Sequence, residues 1–226
     1  MTMPRPRSLR ALGSVISVLV IAVVLVQLVW CVRIWQANHT VVEQRSWGTR
    51  TSHGGIDRMP FAYSTLGWLA TLLVAGLLLL FWLWRARANA ELLCTARHRF
   101  GRGWVIGAWF TPAASFVLPP IIVSDIVRAS DPATPANRPT LQGVPGGGLV
   151  WAWWAVWALA WPALVFERTR FMTTNDRYSD IESAADAWTA WAMSYTVMTA
   201  LFALAAALLI TILVRVDGWQ SRRFGG

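Results

Sequence analysis

Charged residues divide the chain into five long windows that contain no Asp, Glu, Lys or Arg, namely 11–32, 59–84, 103–124, 139–166 and 187–214. A helix needs about 20 apolar residues to cross the hydrocarbon core of a bilayer, and each window is long enough. The pattern predicts an all-α integral membrane protein that forms a single membrane-embedded helical domain over residues 1–226. Four windows contain a long apolar stretch that reads as a helix throughout, and they predict transmembrane helices at about 12–32, 62–84, 149–166 and 187–214.

The third window differs from the others because it contains Pro112, Pro119 and Pro120. A proline inside a helix removes a backbone hydrogen bond and collides with the preceding turn. We expect Pro112 to open the backbone and the Pro119–Pro120 pair to turn the chain. Residues 103–124 are therefore predicted to form either a proline-broken re-entrant segment or a fifth spanning segment.

An amphipathic stretch follows these prolines. Its apolar residues share one helical face, whereas Ser124, Asp125 and Arg128 lie on the opposite face. Proline is favoured at the first position of a helix. The sequence therefore predicts a short surface helix at about 121–129, opened by Pro120, that rests on the membrane interface.

The arginines indicate which loops face the cytoplasm, since short cytoplasmic loops carry an excess of basic residues. A four-span arrangement, in which residues 103–124 dip in and return, places 13 of the 20 arginines inside and 7 outside. A five-span arrangement gives 11 inside and 9 outside. The count favours four spans, with the N- and C-termini both in the cytoplasm.

Composition supports a membrane protein and argues against a nucleic-acid ligand. Hydrophobic residues make up 56% of the chain and charged residues 14%, whereas soluble domains carry about 25% charge. All 20 basic residues are arginine, and the formal net charge is +9. The arginines lie between the apolar windows rather than along one face, so anionic lipid headgroups are the expected counter-charge.

Six basic side chains follow the second window closely: Arg85, Arg87, Arg97, His98, Arg99 and Arg102. They are suited to a phosphate or an anionic lipid headgroup. A plain stop-transfer signal, helped by an Arg87–Glu91 pair one helical turn apart, has the same composition. The sequence contains no Gly-rich phosphate loop beside the cluster, so a nucleotide site has no support.

A stripe of tryptophans marks the fourth window, where Trp154, Trp157 and Trp161 follow helical spacing. Such a stripe is suited to a quaternary ammonium ligand through cation–π contacts. Packing or lipid contact explains the same spacing, and we favour that interpretation.

Metal and catalytic sites have little support in the sequence. His39 and Glu43 are four residues apart, as are His53 and Asp57, and on a helix each pair is able to share a metal ion. Glycines in this loop argue against a helix there. We expect no cofactor, no metal site and no catalytic residue.

The middle of every window lacks an ionisable residue. Proton relays, ion-coupled transporters and voltage sensors place charged groups at that depth. The pattern therefore counts against a coupled transporter.

Three motifs occur in order along the chain: 84–91 (WRARANAE), 103–112 (GWVIGAWFTP) and, after Pro119, 125–130 (DIVRAS). Together they resemble the bacterial membrane-protein family catalogued as domain of unknown function 4328, which is common in actinomycetes. The resemblance covers about residues 60–215 and implies a multi-pass protein of the plasma membrane, with no activity attached. Ser115 stands where the family pattern suggests Asn.

The sequence thus predicts a non-enzymatic membrane module that binds anionic lipids, another membrane protein or a second copy of the chain at its cytoplasmic face. Two alternatives are a pore that uses the proline-broken segment and a membrane enzyme with an outer metal site. The candidate contact residues are Arg85, Arg87, Asn89, Arg97, Arg99, Arg102, Trp109, Pro112, Pro119, Asp125 and Arg128.

Overall fold

A computed structural model describes residues 8–47, 58–174 and 181–225 of the chain. Within these ranges the protein forms six α-helices and no strand. The helices are α1 (Arg10–Trp47), α2 (Arg58–Leu93), α3 (Trp104–Phe110), α4 (Ala114–Ser130), α5 (Gly148–Thr174) and α6 (Ile181–Gly225). Helix makes up 83% of the structure, which confirms the predicted all-α class.

Four helices in the described part of the chain are long and apolar enough to cross a membrane. The segments that meet this condition are Arg10–Glu43, Tyr63–Leu93, Gly148–Arg170 and Ala184–Phe224. They belong to α1, α2, α5 and α6, which contain the predicted spans 12–32, 62–84, 149–166 and 187–214. The protein is therefore an all-α membrane protein with four candidate spans.

The long helices continue beyond their apolar windows into charged sequence. α1 runs past Arg33 to Trp47, and α5 runs past Glu167 to Thr174. In α1 no proline or glycine follows Gly13, so the sequence holds no signal that ends the helix at the membrane boundary. The helices are therefore longer than the uncharged windows from which they were predicted.

The proline-containing segment forms two helices, α3 and α4, which pack against each other. Pro112 lies between them, and Thr111 before it is extended, with φ −88° and ψ 117°. Proline disfavours a helical backbone in the residue that precedes it, so α3 ends there. Ala113 then takes a left-handed φ of 62°, and α4 begins at Ala114. The prediction that Pro112 opens the backbone is confirmed.

The prediction that Pro119 and Pro120 turn the chain is wrong, because both lie inside α4. Pro120 has no N–H with which to bond the carbonyl of Phe116 one turn earlier. The indole N–H of Trp154 in α5 donates to that carbonyl instead, at 2.8 Å. A neighbouring helix thus supplies a hydrogen bond that the proline removes, and α4 continues through the pair.

The prediction of a surface helix at 121–129 is wrong in two respects, because the helix begins earlier and its polar face is buried. It is the second half of α4, which begins at Ala114 rather than at Pro120. Ser124 and Asp125, which the pattern assigned to an exposed face, are buried together with the apolar residues around them. α4 therefore packs through its polar side as well as its apolar side.

Contacts along the chain separate two compact units. The first contains the described residues of 1–20, 73–155 and 205–226, and the second those of 21–72 and 156–204. In the first unit a small buried cluster joins the end of α2, the end of α4 and the loop after α4; its members are Ala90, Cys94, Ala96, Ala129 and Leu141. The core of the second unit is rich in aromatic rings, among them Phe61, Trp68, Trp188, Trp191 and Phe202.

Candidate functional site

The connection between α2 and α3, residues 94–103, is here called the basic linker. Backbone hydrogen bonds hold it against the loop that follows α4. The Thr95 N–H donates to the carbonyl of Ala136 at 2.8 Å, and the Arg97 N–H donates to that of Pro139 at 3.4 Å. These bonds fix the backbone from which the arginine side chains project.

An open cavity of about 390 Å³ lies between the last turns of α2 and the basic linker. We call this cavity the basic pocket. Its lining consists of Arg87, Glu91, Cys94, Thr95, Ala96, Arg97, His98, Arg99, Phe100, Gly101 and Arg102. Sequence neighbours thus form a concave site because the linker folds back over the helix end.

Glu91 organises one side of the basic pocket. Its Oε1 accepts a hydrogen bond from Nε of Arg87 at 2.8 Å, and its Oε2 accepts one from Nε of Arg102 at 2.6 Å. Arg87 is buried and also donates to the carbonyl of Phe100 at 3.0 Å. Hydrogen bonding to Glu91 raises the pKa of Arg102. The Arg87–Glu91 pair predicted from sequence is therefore present, and it belongs to a three-residue network.

Arg99 and Asp125 join the basic linker to the middle of α4. The closest contact, from Nη2 of Arg99 to Oδ1 of Asp125, is 2.7 Å long. Nε and the backbone N–H of Arg99 also donate to this carboxylate. The Asp125 side chain is 1% exposed, so the pair is desolvated on the carboxylate side. The chain that leaves the basic linker through α3 thus comes back into contact with Arg99 at Asp125, 26 residues later.

His98 is a buried side chain of the basic pocket whose polar atoms lack hydrogen-bond partners. It is 9% exposed, and neither ring nitrogen has a hydrogen-bond partner among the residues that the structure describes. Burial, assisted by the positive charge of Arg87, lowers its pKa to about 4, against the opposing effect of Asp125 and Glu91. His98 is therefore neutral at pH 7, with one N–H donor and one free acceptor nitrogen.

The basic pocket has an excess of positive charge. It contains four arginines, and the carboxylates of Glu91 and Asp125 balance two of their charges, which leaves a net excess of two positive charges. Arg97 is exposed, and its side chain forms no hydrogen bond or ion pair with any residue in the described ranges. The Arg102 side chain is 56% exposed despite its pairing with Glu91. Two guanidinium groups are thus accessible to an anion from outside.

The other predicted basic and amide residues lie outside this pocket. Arg85 donates to the carbonyl of Ser8 at 3.3 Å, and its guanidinium lies 4.4 Å from the ring centre of Phe81. The guanidinium of Arg128 lies against Gly147, where a β-carbon would collide with it at 2.8 Å. Both guanidinium groups therefore pack against neighbours that do not line the basic pocket.

Asn89 belongs to a buried polar network that sequence reasoning missed. It donates to Oε1 of Gln220 in α6 at 2.9 Å. The amide nitrogen of Gln220 in turn donates to the carbonyl of Ala86 and to the hydroxyl of Ser130. Gln220 is buried although it follows the last apolar window, and nothing in the local pattern distinguishes it from an exposed residue.

The remaining candidates support the packing of α3 and α4. Trp109 contacts the rings of Trp153 and Trp154, with centroid distances of 6.5 and 5.6 Å. Pro112 ends α3, and Pro119 is buried in α4. Of the predicted set, the structure therefore gathers Arg87, Arg97, Arg99, Arg102 and Asp125 at one site and assigns the others to different places.

Two further tryptophans of the predicted stripe, Trp157 and Trp161, contact each other edge to face at 5.4 Å. Both also contact Phe202 of α6, at 5.8 and 6.3 Å. Trp154 donates its N–H to α4, as described above. The rings of the stripe therefore meet protein groups, as the packing interpretation expects.

The second unit contains a buried carboxylate that was not predicted from the sequence. Glu167 is completely buried in α5, and its Oε1 accepts the indole N–H of Trp191 at 2.8 Å. Nε of Arg168 lies 3.4 Å from its Oε2. The apolar window ends at residue 166, so the sequence placed Glu167 just outside the span.

The predicted loop pairs give no metal centre in the described residues. His39 and Glu43 both lie on α1, so the expectation of no helix there is wrong; they are exposed, and Nδ1 of His39 lies 3.4 Å from Oε1 of Glu43. His53 and Asp57 fall outside the described residues. Within those ranges the structure has no group of three His, Cys, Asp or Glu side chains that is able to hold a metal ion.

In a comparison with protein families, residues 58–216 match the family described as Domain of unknown function (DUF4328). The chain belongs to this family. The DUF4328 match includes the basic linker, α3 and α4, and so covers the whole basic pocket. Searches of curated proteins and of solved structures found no match.

Proposed function

We propose that the protein is a multi-pass module of the plasma membrane that binds anionic lipid headgroups through the basic pocket. The observation that carries the proposal is the accessibility of Arg97 and Arg102 beside the unpartnered His98. Arginine binds phosphate oxygens through a planar fork of N–H donors, and anionic headgroups attract arginine near a membrane surface.

The pocket's rigid construction favours recognition over a simple stop-transfer role. A stop-transfer signal needs only charge at the end of a helix. Here Glu91 and Asp125 hold Arg87 and Arg99 in fixed positions, while Arg97 and Arg102 stay accessible. Pre-organised donors lower the conformational cost of binding.

We place the basic pocket at the cytoplasmic face. The arginine distribution supports this, since the four-span arrangement has 13 arginines inside and 7 outside. The ion pair between Arg99 and Asp125 supports a re-entrant α3–α4 segment, because a straight 26-residue helix would separate its ends by about 39 Å. Both termini are cytoplasmic in this arrangement.

A second candidate function, permeation of a small polar solute, draws support from the second unit. Gln27, Thr65 and Arg168 line a cavity in which Oε1 of Gln27 is buried without a hydrogen-bond partner among the described residues. The cavity offers about 20 Å³, room for about one water molecule. Solute flux into proteoliposomes tests this function, and no flux above that of empty liposomes would exclude it.

Identification of the lipids that accompany the purified protein tests the main proposal. Membranes that contain equal amounts of anionic and zwitterionic phospholipid are solubilised in a polymer that retains the surrounding bilayer. We expect anionic lipid to be enriched around the wild-type protein and less so around Arg97→Gln/Arg102→Gln. The matched control Arg215→Gln/Arg222→Gln removes the same charge from exposed positions of α6 outside the pocket. Equal lipid composition around all three proteins would contradict the proposal.

A further inference from the structure

The geometry points to a specific ligand for the basic pocket: a phosphodiester whose alcohol carries a free hydroxyl, such as a phosphoglycerol headgroup, with His98 accepting the hydrogen bond from that hydroxyl. This inference rests on the proposed function and narrows it. Three features carry it, namely the two free nitrogens of His98, the excess of arginine, and the room in the cavity.

The unpartnered ring of His98 is the first feature. A buried polar group without a hydrogen bond is costly, and proteins rarely retain one unless a ligand or water satisfies it. The linker backbone is tied to the loop after α4 on one side of His98, through Thr95 and Arg97, and to α4 on the other, through Arg99. His98 is therefore held in the pocket wall between fixed neighbours.

The neutral imidazole has hydrogen-bonding requirements that restrict the chemistry of the ligand. One ring nitrogen donates and the other accepts. Phosphate oxygens of a diester only accept, so they satisfy the donor nitrogen or the arginines but leave the acceptor nitrogen free. A ligand that satisfies the acceptor must bring its own donor. A hydroxyl supplies one without adding charge, whereas an ammonium group would be repelled by the net positive charge of the pocket.

The guanidinium groups of the pocket retain donors for the phosphate. Arginine has five N–H donors, and Arg102 uses only its Nε and one terminal nitrogen on Glu91. Arg97 forms no side-chain hydrogen bond within the described residues. The cavity of about 390 Å³ lies within the size range of about 300–1,000 Å³ that is usual for ligand pockets, so it has room for a phosphoglycerol group.

Two lipids of equal charge separate this inference from general anion binding. Phosphatidylglycerol and phosphatidylmethanol are both singly charged phosphodiesters, but only the first has hydroxyl groups. We would measure the affinity of the purified full-length protein for each lipid in mixed micelles, with phosphatidylcholine as the neutral reference. The loss of one hydrogen bond predicts an affinity for phosphatidylglycerol about fivefold higher than for phosphatidylmethanol.

Variants of His98 assign this preference to the imidazole. His98→Phe keeps a ring but removes both nitrogens, and we expect it to bind the two anionic lipids equally. His98→Gln retains an acceptor oxygen and is expected to recover part of the preference. The wild-type comparison tests the inference by itself if a variant fails to fold.

The outcomes distinguish the inference from the function on which it rests. Equal wild-type affinity for the two anionic lipids, both above phosphatidylcholine, would overturn the role of His98 and leave the proposed function standing. Equal affinity for all three lipids would overturn both. Displacement of phosphatidylglycerol by the soluble diester glycerophosphoglycerol, but not by dimethyl phosphate, would support the same chemistry and overturn its assignment to a lipid.

Discussion

Trp154 in α5 donates its indole N–H to the backbone carbonyl of Phe116 in α4, at 2.8 Å. In an uninterrupted helix this carbonyl would accept the N–H of residue 120, which here is a proline. The tryptophan thus replaces a backbone hydrogen bond and allows α4 to run through Pro119 and Pro120.

This replacement predicts that Trp154→Phe destabilises the protein. The change retains an aromatic ring but leaves the Phe116 carbonyl without a donor, at a cost of about 1–3 kcal/mol. Thermal unfolding in detergent measures this loss of stability. In a Pro120→Ala background the backbone N–H returns, and Trp154→Phe is expected to cost less. An equal loss in both backgrounds would show that packing, not the hydrogen bond, sets the effect.

For the Arg99–Asp125 pair, we expect the loss of stability on alanine substitution to differ between the two partners. Asp125 is buried, whereas the Arg99 side chain is 34% exposed. Arg99→Ala leaves a buried carboxylate without its cation, which costs about 3–5 kcal/mol in comparable pairs. Asp125→Ala leaves a guanidinium that water reaches, so we expect a smaller loss of stability. Unfolding of both variants is compared with that of Arg222→Ala, an exposed control. A larger loss for Asp125→Ala than for Arg99→Ala would contradict this description.

Because His98 is buried, we expect the free energy of unfolding to depend on pH. Burial is the largest cause that lowers its pKa to about 4 in the folded protein, and Arg87 acts in the same direction, against Asp125 and Glu91. As the pH falls below about 6.5, the unfolded chain binds a proton that the folded protein excludes, so stability decreases until the pH reaches about 4. The loss at pH 5 relative to pH 7 is about 2 kcal/mol.

The variant His98→Phe isolates this contribution, because every other ionisable group is present in both proteins. We expect the wild-type melting temperature to fall more steeply than that of the variant between pH 7 and pH 5. Parallel curves would mean that the ring is already charged, or already hydrated, in the folded protein.

The proposed re-entrant arrangement of α3 and α4 predicts that both ends of this segment face the cytoplasm. Single cysteines at Gly103 and Asn137, in a background where Cys31 and Cys94 are replaced by alanine, report the two sides. Both positions are exposed, and a β-carbon at Gly103 meets no atom within 4 Å. An impermeant thiol reagent applied to intact cells should label neither. Labelling of Asn137→Cys alone would mean that the segment crosses the membrane.

The sequence was sufficient to predict the helical class and the four candidate spans, because exclusion of charge over about 20 residues is a strong constraint imposed by the bilayer. It also predicted the break at Pro112, whose effect on Thr111 is local. The continuation of α4 through Pro120 was not predictable, since the compensating donor, Trp154, lies 38 residues from Phe116.

The site was predictable only in part for the same reason. The arginine cluster stands out in the sequence, and its pairing with Glu91 follows from helical spacing. The role of Asp125 as a partner of Arg99, and the burial of Glu167 against Trp191, depend on contacts between residues that are distant in the chain. The burial of His98 depends on how the basic linker folds, which side-chain composition does not encode.

The most direct test of lipid recognition is the dissociation constant for phosphatidylglycerol, measured on the purified protein and its two charge-matched double variants. Each arginine near an anionic surface contributes about 1 kcal/mol, so Arg97→Gln/Arg102→Gln should weaken binding by about 30-fold. Arg215→Gln/Arg222→Gln removes the same charge elsewhere and should weaken it far less. Equal weakening by both pairs would contradict a defined site at the basic pocket and leave only nonspecific attraction between the protein's net charge and the membrane.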